Sequence, residues 1–287
     1  MILVYALGGG LGHLVRARAF LHTLGMEGDA AILTASHHAS DPRVVGGIET
    51  IRIPRELERD PSACRTWIVA LLEKRRPDIF CVDAFPCGIV GELGGATLPH
   101  AGALWHLARL LRWDEYARHA TDAPLFDVTW RLEPLHGGHE AWLERASREI
   151  RNVELIDPPS DGAPPDGLPE GFWLVVHSGP SSEVEELASY AEDLRTAEKS
   201  TAAIVVATLE PPESLPEGAI VVREFPASLL FARAARIVSA AGFNVMRQAR
   251  AFREKQIVMP LPRRFDDQFE RARRARNAER GTRNAEP

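Results

Sequence analysis

Two glycine-rich turns constrain this chain more than any other feature. The first, Gly8-Gly9-Gly10-Leu11-Gly12-His13, opens the sequence, and the second, Ser239-Ala240-Ala241-Gly242-Phe243-Asn244, comes late. Each follows a short apolar run and precedes an amphipathic stretch, the pattern of a buried strand turning into a helix. The unsatisfied amides of a helix N-terminus then face outward from the turn, where they favour phosphate or another anion. Only the first turn carries a histidine. One half of the chain is therefore expected to hold a nucleotide and the other to do proton chemistry, at a cleft between two domains.

The alternation of apolar runs and helical patterns extends along the whole chain. Residues 2–7 read as a strand, and Leu14, Ala17, Leu21 and Leu24 recur at steps of three and four, one apolar helix face that Gly25 ends. Further strands are predicted at 30–34, 48–53, 79–82, 101–104 and near Val128, with helices at 62–74 and 88–93. A cluster of Pro158, Pro159, Gly162, Pro164, Pro165, Gly167 and Pro169 then interrupts regular structure. Strands resume at 173–176, 203–207, 219–222, 237–238 and 257–259, with helices at 182–194, 227–234, 244–252 and 267–276. The expected organisation is an acceptor-side Rossmann-like domain over 1–156, a linker over 157–171 and a nucleotide-binding Rossmann-like domain over 172–287. The fold class is α/β, two doubly wound domains facing a cleft.

Composition excludes several alternatives. The 287 residues suffice for two cores, and a net charge of −6 with 26% charged residues gives no nucleic-acid signal. The uncharged stretch 93–108 is broken by Pro99, His100 and His106 and is shorter than the ~20 apolar residues of a membrane span. The N-terminus starts on a strand pattern with no basic leader, so no signal peptide is expected. Cys64, Cys81 and Cys87 have no metal-ligand spacing and leave an odd thiol, which suits a reducing cytoplasm.

The opening turn lacks the third glycine of a dinucleotide fingerprint, where His13 stands, and no acidic residue follows the second strand to hold a ribose. A dinucleotide is therefore not expected. A histidine at the first turn of a helix, kept unprotonated by the helix N-terminus, suits a general base; a packing histidine is the plainer reading for such a residue taken alone. Asp83 ends the strand at 79–82 and would orient His13 if the two strands are neighbours, against a role as a loop cap. Glu92 is a weaker candidate for an acceptor contact. Ser178 and Gly179 follow the first strand of the second half, where hydroxyl and amide groups suit a diphosphate, against simple capping by Ser181 and Ser182. In the late turn Ser239, Gly242 and Asn244 admit phosphate, while Gln248, Asp267 and Gln268 offer donors and acceptors to ribose and sugar hydroxyls. No Asp-x-Asp pair is present to hold a divalent ion on a diphosphate, so no metal and no resident cofactor are expected. His37-His38 and His136-Gly137-Gly138-His139 read as loop histidines rather than ligands. Arg263, Arg264, Arg271, Arg273, Arg274 and Arg276 offer at most weak peripheral contact with anionic lipid; interleaved acidic residues favour a solvated helix face.

Together these segments resemble the GT-B glycosyltransferases, the superfamily of the peptidoglycan N-acetylglucosaminyltransferase and the UDP-glucuronosyl and macrolide transferases. The resemblance rests on the opening Gly-Gly-Gly-Leu-Gly-His with Gly9, Gly10 and Gly12, on 82–93, on the turn around Gly242 and Asn244, and on Asp266-Asp267-Gln268. It implies a nucleotide-sugar donor, UDP-linked, held by the C-terminal domain with Phe225 near the base. It also implies His13 as the base that activates an acceptor hydroxyl, Asp83 as its partner, and inverting transfer without a metal.

Three departures from the family pattern stand out. Gln248 replaces the usual ribose-binding glutamate, Phe252-Arg253-Glu254-Lys255-Gln256 replaces a Gly-x-Pro loop, and few residues follow the Asp-Gln helix. The last suggests a compact or non-catalytic member. Two other activities therefore stay open at this stage: a nucleotide-sugar-binding protein or subunit of a two-chain transferase, and a UDP-sugar epimerase.

Overall fold

A computed structural model of the protein describes residues 1–95, 98, 102–160 and 162–283. The chain divides into two compact units, Met1–Pro159 with Arg264–Asp266, and Ser160–Arg263 with Asp267–Pro287. Asp161 of the predicted linker and the last four residues of the predicted second domain lie outside the described residues.

The first unit is built on a seven-stranded parallel sheet of β1 (Ile2–Tyr5), β2 (Ala30–Thr34), β3 (Glu49–Arg52), β4 (Ile79–Asp83), β5 (Ala103–Ala108), β6 (Phe126–Arg131) and β7 (Ser147–Asn152), in the order β3-β2-β1-β4-β5-β6-β7. Ile2, Leu3, Val4 and Tyr5 are all buried because β1 is central and covered on both faces, as a continuously apolar run requires. Its register pairs Tyr5 with Leu33 on one side and with Val82 on the other. The sheet order reverses between β1 and β4, so their C-terminal ends diverge into the crevice where open α/β sheets place their sites.

Helix α1 (Leu11–Thr23) follows β1 at once, burying Leu14, Ala17, Phe20 and Leu21; Phe20 packs edge-on against Trp130, with ring centres 5.7 Å apart. Three more helices are α2 (Pro42–Val45), α3 (Pro61–Arg75) and α4 (Trp113–Tyr116). Asp60 caps α3 by accepting from the amides of Ser62 and Ala63, with Pro61 in the first helical position where its missing N–H costs nothing.

The second unit holds a five-stranded parallel sheet of β8 (Trp173–Val176), β9 (Ile204–Ala207), β10 (Ile220–Val222), β11 (Arg236–Ser239) and β12 (Gln256–Val258), in the order β10-β9-β8-β11-β12. It repeats the winding of the first unit, with the order reversing between β8 and β11. One face buries Val175, Val206 and Val238 against Val184, Leu187 and Ala191, and the other buries Leu174, Val205 and Ile237 with Phe172 and Phe231.

Several expectations need correction. Helix α5 (Gly137–Ala146) carries His139, which the sequence placed in a loop; the ring is fully buried and stacks on Trp113 with centres 4.0 Å apart. Strand β7, Ser-Arg-Glu-Ile-Arg-Asn, was hidden by its polar composition, which suits an edge strand. Residues 88–93 form turns rather than a helix, and 227–234 shorten to a tight turn at Ala227–Leu230. The strand predicted at 101–104 runs over Ala103–Ala108, with Ala101 outside the described residues. His37 and His38 sit in a tight turn after β2.

Burial lowers the His106 pKa from 6.5 to about 4, outweighing the backbone of Ala84, and burial lowers that of His139 from 6.5 to about 2. Below pH 6.5 the unfolded chain protonates both rings while the folded chain keeps them neutral, so acid favours unfolding. Stability should therefore fall by about 1.4 kcal/mol per pH unit for each histidine as pH drops from about 6.5 toward 4. Urea unfolding across this range should show the slope, and His139→Phe should flatten it; an unchanged slope in that variant would contradict the assignment.

Candidate active site

The two residues expected to act together in the first unit do meet. His13 is the third residue of α1, and Asp83 is the last of β4, directly beside β1. His13 Nδ1 lies 2.6 Å from Asp83 Oδ2. A carboxylate only accepts, so Nδ1 carries the proton and Nε2 keeps its lone pair. The imidazole lies over Gly8, where a Cβ would come within 2.3 Å of His13 Cδ2, so the first glycine of the turn provides the ring's space. Phe85 covers another side, with ring centres 5.9 Å apart. Gly9, Gly10 and Gly12 are exposed, and Gly10 is the N-cap of α1 with no side-chain cap.

Sequence reasoning missed Arg16. Its Nε donates to Asp83 Oδ1 at 2.6 Å and its Nη2 to Asp83 Oδ2 at 2.7 Å, a two-point clamp on a side chain only 3% exposed. The same Nη2 is 3.2 Å from His13 Nδ1. The signal was present as the i, i+3 spacing of His13 and Arg16, which puts both on one helix face. Arg109, just past β5, adds a second buried cation; it pairs with Asp266, and its guanidinium lies 5.6 Å from the centre of the Phe85 ring. Phe265 and Asp266 are part of this unit, Phe265 packing edge-on to Tyr116 at 5.2 Å, so the motif Asp266-Asp267-Gln268 is divided between the two units.

The charges set the protonation states. Burial alone would raise the pKa of Asp83, but the Arg16 guanidinium and the His13 hydrogen bond outweigh it and hold the carboxyl well below its usual range. Burial lowers the pKa of His13; the Asp83 bond opposes this, while the charges of Arg16 and Arg109 add to it. At neutral pH the cluster therefore contains an arginine cation, an aspartate anion and a neutral imidazole.

Glu92 does not fit an acceptor contact. It is fully buried, takes a hydrogen bond from Tyr5 and accepts from the amides of Ile89 and Val90 at 3.1 and 2.9 Å. All of this fixes the 85–95 loop from inside.

In the second unit, β8 leads through His177, Ser178 and Gly179 to α6 (Ser181–Ala197). Ser178 is exposed, and Pro180 rather than a serine is the N-cap of α6. In its first turn Glu183 accepts from His177 Nε2 at 2.7 Å and pairs with both ends of the Arg263 guanidinium at 2.6 and 2.5 Å. Gly179 makes this closure possible, since a Cβ there would be 2.4 Å from His177 Nε2. Burial would raise the Glu183 pKa, but the Arg263 and His177 bonds bring it below normal; burial keeps His177 below its ordinary value despite Glu183.

Strand β11 ends at Ser239, and Gly242 caps the short helix α7 (Phe243–Gln248), which places Asn244 in its first turn and Gln248 at its end. Some residues expected to contact the donor make structural bonds. Ser239 Oγ is buried and accepts from Gln256 Nε2 at 2.9 Å; Arg253 Nη1 in turn donates to Gln256 Oε1 at 2.6 Å, so two residues of the divergent 252–256 loop brace the turn. Gln268 opens α8 (Gln268–Arg283), and its Oε1 takes the amides of Ala241 and Leu261 at 3.1 and 3.0 Å. That oxygen is not open to a sugar. Asp267 Oδ1 accepts from the Glu270 amide at 3.0 Å and caps α8. Arg271, expected on a solvated face, is buried and donates to the Ala241 carbonyl at 2.8 Å. Arg273 and Arg274 do lie on such a face, paired with Glu270. Phe225 is half-buried in the loop after β10. No helix among the described residues is long and apolar enough to cross a membrane.

No protein-family model matches the chain, and no curated protein matches it. Solved structures do. The glycosyltransferase SnogD from Streptomyces nogalater is 18% identical with a TM-score of 0.57, over 91% of this chain and 81% of that one. The spinosyn rhamnosyltransferase SpnG, complexed with thymidine diphosphate, is 18% identical with a TM-score of 0.58, over 95% and 83%. S. aureus MnaA, solved with UDP, is 12% identical with a TM-score of 0.59, over 91% and 80%. The chain has the GT-B fold of two Rossmann-like domains.

If Gln268 is a brace, its loss should act without any ligand. Gln268→Ala strands two buried amides, each worth about 1–3 kcal/mol. Thermal or urea unfolding of the ligand-free protein should register this, and Gln268→Glu should lose less; unaltered stability in Gln268→Ala would return the residue to the ligand contacts.

Proposed function

We propose that the protein is a glycosyltransferase that moves a sugar from a nucleoside diphosphate donor, UDP-linked, to an acceptor hydroxyl with inversion and without a metal. The observation that carries this reading is the neutral, Asp83-anchored imidazole of His13 at the switch point of the first sheet. Its Nε2 takes the proton from the acceptor hydroxyl. The acceptor oxygen then forms a bond to the anomeric carbon as the bond from that carbon to the diphosphate breaks, and the electron pair leaves with the nucleoside diphosphate. Asp83 stabilises the resulting imidazolium without itself taking a proton.

Donor binding is assigned to the second unit. The amides around Gly242 and Asn244, with Ser178 and Gly179, are the groups proposed to meet the diphosphate, and Phe225 the base. Gln248 and Asp267 are the proposed contacts for ribose and sugar hydroxyls, while Ser239 and Gln268 hold their loops in shape. The nucleoside diphosphates in the SpnG and MnaA structures support a donor of this class.

The test is incubation with a panel of nucleotide sugars and hydroxyl acceptors, following released nucleoside diphosphate and glycosylated product. Transfer by the wild-type protein should fall by about 100- to 10,000-fold in His13→Ala, with donor affinity little changed. Near wild-type turnover in that variant would remove His13 from the role. Tight UDP binding with no transfer or hydrolysis would mark a binding protein, and interconversion of a UDP-sugar without an acceptor would mark an epimerase.

A further inference from the structure

Arg16 has no part in the proton transfer described above, yet it makes the most extensive polar contact in the site. Its guanidinium meets both oxygens of Asp83 in the fork geometry that matches a carboxylate, at 2.6 and 2.7 Å, within a fully buried setting. Asp83 Oδ2 is shared between Arg16 Nη2 and His13 Nδ1. With both oxygens gripped, the carboxylate plane cannot turn, and the direction of its bond to His13 is set by α1 itself, the helix that also carries His13.

We propose that Arg16 is a positioning residue that locks Asp83 as a two-point anion and thereby fixes His13 in the tautomer whose Nε2 is the proton acceptor. This rests on the reading of His13 as the base. The arrangement also changes the charge balance. Asp83 and His13 alone would carry one negative charge, neutralised when the imidazole protonates; with Arg16 the resting cluster is neutral, and proton uptake leaves it positive. The charge of Arg109 also acts on His13, and Arg109 is paired with Asp266. Arg16 therefore trades strength of the base for certainty of its orientation.

The test uses the full-length protein without ligand, its histidines labelled with nitrogen-15, and reads the ring nitrogens of His13 by correlation spectroscopy across a pH series. The His13 signal is assigned by its loss in His13→Ala. Wild type should show the Nδ1–H tautomer alone and a midpoint below that of an ordinary histidine. Arg16→Met should give a mixture of tautomers and raise the midpoint by about one pH unit. Arg16→Lys keeps the charge but offers no fork, so it should retain the low midpoint while mixing the tautomers; it also carries the test where Arg16→Met does not fold.

An Nε2–H tautomer in wild type would overturn the proposal, as would an Arg16→Met or Arg16→Lys protein with the wild-type tautomer. Because no substrate enters these spectra, the outcome is separable from the enzymatic reading. Absent transfer with the expected spectra sinks the function and leaves the lock; transfer with unaltered spectra does the reverse.

Discussion

The buried carboxylate of Asp83 is the constraint around which the first unit's chemistry is arranged. An isolated carboxylate in that position would be strongly disfavoured, and the structure answers with a guanidinium across both oxygens and an imidazole on one of them. Three elements are needed for this: β4 to deliver the carboxylate, β1 and its glycine turn to start α1 in the right place, and α1 to present His13 and Arg16 three residues apart. Loss of Arg16 leaves the buried charge without its counter-ion, and loss of His13 removes one of its hydrogen bonds. The site and the local stability are thus the same set of bonds seen from two sides.

Much of the fold was legible in the sequence because its strands are buried on both faces and read as unbroken apolar runs. The 2–7, 30–34 and 173–176 segments are of this kind, and so is the three-four periodicity of α1. What the sequence concealed follows physical lines. Strand β7 is an edge and can be polar, and His139 is buried on a helix because Trp113 supplies a flat apolar partner that no local pattern reveals. The pairing of His13 with Asp83 could be stated only as a condition on strand order, and the β1–β4 adjacency meets it. Arg16 was hidden because an arginine on an amphipathic helix ordinarily reads as surface.

The second unit shows a different kind of concealment. Residues chosen for their polar side chains near a glycine turn divide into those left at the turn and those used to build it. Ser239 is held by Gln256, Gln268 bridges two loops through one oxygen, and Arg271 reaches back to the Ala241 carbonyl. Small residues at 240–242 bring the backbone close to these braces. Glu183, fixed between His177 and Arg263, gives the start of α6 its own internal anion.

Under the proposed function, the nucleotide belongs to the second unit and the base to the first. Amide hydrogen exchange with and without saturating UDP tests this division directly. Slowed exchange is expected at residues 240–246 and at Ser178, Gly179 and Ser181, with the amides of 8–14 little affected by the nucleotide alone. Protection confined to the opening turn, with none after β11, would place the nucleotide on the His13 side and contradict this division.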